Sequence, residues 1–358
     1  MVQVNGTINF PGLIDPHVHL RDPGATHKED FGSGTRAALA GGFTTVLAMP
    51  NTQPPLTDTP SLELAKSAAC KKAYCDYGIY LGAGPDNRET ASRLAARVCG
   101  LKLYLDQTYG PLRIESLGLL HEHVSNWPAD RPLAAHAAGR SLAAILFFAA
   151  LLERSVHICH VSRRSEILLI RAAKEKGLRV TCEVAPHHLF LTEADAPQIG
   201  PGRSKVRPRL ANASDQDALW TNLDVIDCFA TDHAPHTLEE KDGPQPPPGF
   251  PGLETALALF LTAVSDGRLT HEKLIARMHT NPKRIFSLPD QDETSIEVDL
   301  NDEWEVCGAE LQSQCGWSPF EGMRLKGRVR RVVLRGQCVY ADGQVLAAPG
   351  SGQDIRER

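Results

Sequence analysis

The sequence lacks any run of 18 apolar residues, so it offers no candidate membrane-spanning helix. No secretory pattern starts at Met1. No Cys-x-x-Cys pair occurs among the nine cysteines, and the count is odd. Both facts argue against a disulfide framework. Cys159, Cys182, Cys228 and Cys338 sit instead in apolar strand-like runs, as reduced core thiols do. Neither GxGxxG nor GxxxxGK[ST] follows an early strand signal, so no phosphate loop is expected. The net charge is −5 with the two signs interspersed, which gives no electrostatic case for nucleic acid or an anionic membrane as partner. Internal repeats and long low-complexity tracts are missing too. These absences predict a soluble, cytoplasmic globular chain.

What is present is a long apolar pattern. The chain has 358 residues, 42% of them apolar, enough for a large core. A (β/α) barrel of ~250 residues plus an accessory piece fits that length. Strand signals recur at 12–18, 43–49, 77–82, 100–105, 132–136, 156–160, 179–184 and 225–231. Helical patterns fall between them, at 29–40, 61–74, 88–98, 115–125, 140–153, 163–176 and 214–222, with closing helices at 254–265 and 271–279. Eight alternations point to an α/β protein, a (β/α)8 TIM barrel over residues 11–289. An early strand at 2–10 and the Val-rich segment after residue 290 predict a small β appendage from 1–10 and 290–358, with a fraying tail from 347.

Candidate chemistry gathers at the C-terminal strand ends. The first strand closes in His17-Val18-His19, followed by Arg21 and a Pro-Gly turn. Alternate strand residues share a face, so the two imidazoles can meet one ion, or they can be two half-buried strand histidines. Further strand ends carry Asn51, His136, Cys159-His160, Glu183 with His187-His188, and Asp232 with His233 and His236. Strand four places Lys102 inside an apolar run. A buried ammonium must pair, with Asp106 or Glu183, or snorkel outward, unless it serves the site. In a barrel these ends surround one mouth, where catalytic groups lie.

The runs PGLIDPHVHLRDPG, MPNTQPP, GLKLYL, AHA, HICHVS, CEVAPHHL and FATDHAPHTLEEK closely resemble the dihydroorotases of the amidohydrolase superfamily. The likeness is nearest to the dihydroorotase domains of animal multifunctional pyrimidine-synthesis proteins, and it runs from about residue 8 to 353. It implies two zinc ions. His17, His19 and Asp232 would hold one, and His136 and His160 the other, with a carboxylated Lys102 as bridge. A third zinc near Cys159 and Glu183 is also implied. Arg21, Asn51 and His236 would hold the substrate carboxylate, helped by His188, Arg207 and the backbone of Pro248 and Gly249. Residues 106–113, with Thr108 and Tyr109, correspond to a lid that closes over the substrate. Asp232 would move the proton.

The implied reaction is reversible cyclisation of N-carbamoyl-L-aspartate to L-dihydroorotate. The implied setting is a homodimer, or a larger assembly with carbamoyl-phosphate synthetase and aspartate transcarbamoylase activities. The sequence departs from the family's expected pattern at two places: Ala138 replaces an acidic residue, and Tyr109 replaces Phe. Rival readings are another cyclic amidase, of dihydropyrimidinase, hydantoinase or allantoinase type, and a non-catalytic relative that keeps the barrel. Arg21 and Asn51 favour a substrate with a free carboxylate. His27, His121, His123, His157, His271 and His279 have no role that the sequence assigns.

Overall fold

The computed structural model describes residues 3–4 and 6–357. Two short strands come first, β1 (Gln3–Val4) and β2 (Thr7–Pro11); the remainder of the strand expected at 2–10, Val2 and Asn5, lies outside the described residues. The chain then lays down eight parallel strands. These are β3 (Leu13–Val18), β4 (Phe43–Ala48), β5 (Asp76–Gly82), β6 (Gly100–Tyr104), β7 (Leu133–His136), β8 (Val156–Ile158), β9 (Val180–Val184) and β10 (Cys228–Phe229), hydrogen-bonded in that order. A bridge from Val18 to His233, beyond the end of β10, joins the last strand to the first. The barrel expected from the sequence is thus closed.

The eighth strand is shorter than the expected 225–231, and carboxylates explain why. Asp15 accepts the Thr231 N–H at 3.2 Å, the Thr231 hydroxyl at 2.5 Å and the His17 N–H at 3.1 Å. Asp227 accepts the Cys182 N–H at 2.8 Å and Lys174 Nζ at 2.6 Å. Backbone donors that a longer ladder would use are satisfied by side chains.

Two apolar layers result from the period-two alternation. Ile14, Leu47, Met49, Tyr80, Ala134 and Phe286 form one buried cluster. Leu13, Phe43, Val46, Leu101 and Leu103 belong to a second, shared with the surrounding helices. Helices Phe31–Ala40 and Thr59–Lys72 open on capping boxes, Asp30 with Ser33 and Asp58 with Ser61. The closing helix expected at 271–279 is longer: a π-helical turn, Ala276–Thr280, carries it into Asn281–Ile285. Short helices Pro186–Phe190 and Leu238–Asp242, not expected from the sequence, follow β9 and β10.

The second sheet is antiparallel, ordered β1-β2-β11-β12-β13-β14, with β11 (Ser295–Glu305), β12 (Arg324–Leu334), β13 (Gln337–Ala341) and β14 (Gln344–Val345). Phe10 pairs with Ile296 and Ile8 with Val298, and these side chains are buried with Val329 and Val332. Among the described residues, up to Glu357, the tail expected to fray is held to the barrel. Asp354 bridges to Tyr77, Lys66 Nζ lies 2.8 Å from Asp354, and Ile355 is buried.

Candidate active site

The end of β3 aims both of its histidines at one point. His17 Nδ1 is tied to Glu183 Oε1 at 2.5 Å, and His19 Nδ1 to Asn51 Oδ1 at 2.6 Å. Each imidazole therefore turns its Nε2 to the same place, 3.2 Å from Asp232 Oδ1 in both cases. Orienting partners on the far nitrogen are what metal-binding imidazoles need. Burial, then the charge of Lys102, lowers the pKa of His17 and of His136. Burial, then Arg21, does the same for His19. The rings are held neutral, the form that ligates a metal.

His136 and His160 form the second half. Their rings meet at 2.8 Å, Nδ1 to Nε2, and His160 Nδ1 is buried without a partner. Lys102 lies fully buried on β6 between the two halves in sequence and forms no ion pair among the described residues. The pairing with Asp106 or Glu183 considered above is not seen. Its Nζ lies 2.8 Å from Cys159 Sγ and 5.4 Å from the Tyr104 ring centre. Two trios have ligand atoms within 4.8 Å of one another: His17, His19 and Asp232, and His17, Cys159 and Glu183. The donor set and the orphaned His160 nitrogen fit a metal centre. His160, Asp232 and Arg21 have φ of 34°, 48° and 58°, a strained region that recurs where geometry serves chemistry.

Glu183 is the hub beneath. Besides His17 it accepts from His157 Nε2 at 3.0 Å and the His160 N–H at 3.3 Å. Burial alone would raise its pKa, but the imidazoles of His17 and His157 outweigh that and hold it well below the usual carboxylate range. His157, which the sequence left without a role, is thus a buttress of the cage. Burial raises the pKa of Asp232, against the lowering effect of His17 and His187.

Beside the cage lies a cluster of donors. Arg21 Nε donates to Pro235 O at 3.1 Å, and its Nη2 lies 3.1 Å from His236 Nε2. Asn51 Nδ2 donates to the Tyr109 carbonyl at 3.0 Å, and the Tyr109 ring packs edge-on to His236 at 5.3 Å. Segment 106–113 therefore covers this cluster, with a cavity of about 190 Å³ lined by Arg21, Asn51, Thr52, Tyr109 and Gly110. Asp106 anchors the segment's start, accepting the Ala138 N–H at 2.8 Å and the Ser141 hydroxyl at 2.5 Å. An acid thus stands at Ala138 after all, brought from another strand end.

The other expected residues are placed less tightly. Thr108 is half-buried and Arg207 exposed, and no ion pair of Arg207 is found among the described residues. His188 is buried with both ring nitrogens unpartnered. Pro248 O lies 3.1 Å from His236 Nε2, and Gly249 follows in a φ of 150° where an added Cβ would meet Ala234 O at 2.3 Å. Sequence reasoning missed Lys28, Asp15, Tyr104 and Lys241, all buried at or under the site. Lys28 and Lys241 stand in charged runs, HKED and LEEKD, which read as solvated surface.

Residues 8–110 match the amidohydrolase family model. The chain is 56% identical over 98% of its length to the multifunctional protein CAD of Squalus acanthias, of which it spans only 16%. It is 37% identical, over 98% of its length and 88% of the relative's, to a dihydroorotase of Pyrococcus abyssi. Among solved structures it superimposes on an L-hydantoinase of Arthrobacter aurescens with a TM-score of 0.92 at 26% identity, covering 98% and 89% of the two chains. An inactive dihydroorotase-like domain of a Chaetomium thermophilum CAD-like protein gives 0.84 at 33% identity, covering 98% and 99%. The chain belongs to the dihydroorotase family of amidohydrolases.

Proposed function

We propose that this chain is a zinc-dependent dihydroorotase that interconverts N-carbamoyl-L-aspartate and L-dihydroorotate. The observation that carries this reading is the convergence of His17 and His19 Nε2 on Asp232 Oδ1, with the Arg21 and His236 donors alongside. His17, His19 and Asp232 would hold one zinc, and His136 and His160 the second. Carboxylation of Lys102 would turn the buried cation of the cage into an anion able to bridge both. Zinc, when bound, supplies Lewis acidity at the reacting carbonyl and a hydroxide at neutral pH. A third metal would fall to Cys159 and Glu183, although Glu183 also serves as the orienting partner of His17.

The chain's own residues do the rest. In cyclisation the ureido nitrogen attacks the side-chain carboxylate carbon, Asp232 takes the nitrogen's proton and passes it to a carboxylate oxygen, and the C–O bond breaks to release hydroxide, which a solvent proton converts to water. In hydrolysis hydroxide adds to the ring amide carbon, Asp232 takes the proton of the added hydroxyl, and the C–N bond breaks as Asp232 gives that proton to the nitrogen, leaving a carboxylate. Arg21, Asn51 and His236 orient the free carboxylate, with His188, Arg207 and the Pro248–Gly249 backbone completing the pocket. Thr108 and Tyr109 close it and exclude water.

By the same likeness the chain works in the cytoplasm, as a homodimer or within a larger assembly with carbamoyl-phosphate synthetase and aspartate transcarbamoylase activities. The inactive domain is the sharpest counter-example, because a barrel of this family can lose its chemistry. Here every proposed ligand is present. Comparing hydrolysis rates of dihydroorotate and dihydrouracil by the zinc-loaded protein tests the reading. Dihydroorotate should be strongly preferred. Preference for dihydrouracil would make the chain a hydantoinase-type amidase, and no turnover of either would place it with the inactive relative.

A further inference from the structure

Lys28 lies 4% exposed beneath Tyr109, a cation that the reaction described above does not use. Its Nζ has three partners at hydrogen-bond distance: Glu240 Oε1 at 3.0 Å, His236 Nδ1 at 3.1 Å and the Tyr109 hydroxyl at 3.3 Å. An ammonium has three N–H bonds and no acceptor. Every one is committed, so His236 Nδ1 must be the acceptor in its pair. The other candidate partner of Nδ1, Glu240 Oε2, is 3.7 Å away, too far for a hydrogen bond. The proton of the neutral His236 ring then sits on Nε2.

That places two donors side by side. His236 Nε2–H and Arg21 Nη2 lie 3.1 Å apart, and neither can accept from the other. Pro248 O takes the Nε2 proton at 3.1 Å in this conformation. An anionic oxygen between them would satisfy both. Above the same spot the Tyr109 ring lies near both cations, 5.1 Å from the Arg21 guanidinium carbon and 4.8 Å from Lys28 Nζ. The hydroxyl that distinguishes Tyr109 from the expected Phe is the group that reaches Lys28.

We propose that Lys28 is a positioning residue of the carboxylate pocket: it fixes His236 in the Nε2–H tautomer and latches the lid through the Tyr109 hydroxyl. This rests on the carboxylate-pocket reading of Arg21 and His236. Lys28 touches no reacting atom. It acts through His236 on the donor presented to the ligand, and through Tyr109 on the closed state of 106–113.

The test uses Lys28→Met, Lys28→Arg and Tyr109→Phe in the full zinc-loaded chain. Imidazole 15N shifts of histidine-labelled protein, with His236→Gln to assign the signal, should show the Nε2–H tautomer in the wild type. The signal should move toward a mixture in Lys28→Met and return in Lys28→Arg. Loss of one charge-assisted hydrogen bond should raise KM for dihydroorotate about tenfold in Lys28→Met, more than kcat falls. Partial unfolding would lower kcat instead, through the active fraction. Tyr109→Phe should keep the tautomer but speed tryptic cleavage after Arg113. An Nδ1–H tautomer in the wild type, or an unchanged one in Lys28→Met, overturns the tautomer role. Unchanged cleavage in Tyr109→Phe overturns the latch. If the wild type ignores dihydroorotate yet the tautomer follows Lys28, the functional reading fails while the hold of Lys28 on the His236 tautomer stands.

Discussion

Lys241 offers the strongest single test of how the pocket wall is held. It lies on the short helix Leu238–Asp242 and its side chain is fully buried. Nζ donates to three carbonyls, Lys205 O at 2.8 Å, Pro247 O at 3.0 Å and Gly249 O at 3.1 Å, and sits 5.4 and 5.7 Å from the Trp317 and Phe250 ring centres. Burial pushes the Lys241 pKa down to about 7, yet three carbonyl acceptors match the three protons of the ammonium form and none could be met by a lone pair. Together they tie the segment around Lys205 to the Pro-rich loop that presents Pro248 and Gly249. Lys241→Met keeps the length and removes every donor. A hydrogen bond to a charged group is worth about 1.5–3 kcal/mol, and three that share one nitrogen do not add fully. The ammonium's own desolvation is also relieved, which offsets part of the loss. The net cost should be about 3 kcal/mol, read as a lower urea midpoint with unchanged m-value. KM for dihydroorotate should rise as well, because the Pro248 carbonyl opposite His236 loses its support. A loss below about 1 kcal/mol would show that water replaces the lysine at the carbonyls and would refute this account of the loop.

Asp232→Asn should cut turnover by at least about a hundredfold while a dihydroorotate-like carboxylate still binds, measured by steady-state kinetics and calorimetry; a near wild-type rate would remove Asp232 from proton transfer. Lys102→Ala should lose most of its metal and activity, and two zinc ions per chain by elemental analysis with full activity would end the bridging claim. Asp15 should shape the stability of the metal-free protein across neutral pH. Burial pushes its carboxyl from 3.8 up to about 8, against the donors of Thr231 and His17. The folded protein then keeps a proton that the unfolded chain releases, so this contribution is whole below about pH 4 and is lost as pH rises through about 8. Urea midpoints between pH 5 and 8.5 should fall in the wild type and flatten in Asp15→Asn; equal slopes would assign the effect elsewhere.

The barrel was legible because each strand is a short apolar run with a polar residue at its end, and burial on both faces writes that pattern plainly. The residues proposed as metal ligands stood out for the same reason: His17, His136, His160 and Asp232 interrupt apolar runs. Charged residues that the fold buries left no such mark. Lys28 and Lys241 sit among Glu and Asp neighbours, and only the tertiary fold turns them away from water. The eighth strand was overextended because a sequence pattern cannot show that Asp15, over two hundred residues away, takes Thr231's donors. The tail looked frayed because its few apolar residues are scattered, yet Ile355 finds the barrel cluster that holds Tyr80 and Phe286.

Asn51 shows how the two halves of the site are wired together. Its carbonyl oxygen fixes His19 from behind at 2.6 Å, while its amide nitrogen reaches the Tyr109 carbonyl at 3.0 Å. One amide has only these two ends, with fixed polarity. Nδ2 carries two N–H groups, so one can hold the Tyr109 carbonyl while the other takes up a substrate carboxylate, and the same amide would then tie the ligand to 106–113. For Oδ1 to keep accepting from His19, the amide cannot flip, so the polarity that orients this imidazole also keeps a donor turned toward Tyr109 and the proposed carboxylate pocket. A barrel of this family that binds no carboxylate can dispense with that second requirement. On the reading proposed above, the metal cage alone would not separate a dihydroorotase from a hydantoinase; the polarity of Asn51, set between His19 and 106–113, and the Arg21–His236 donor pair would.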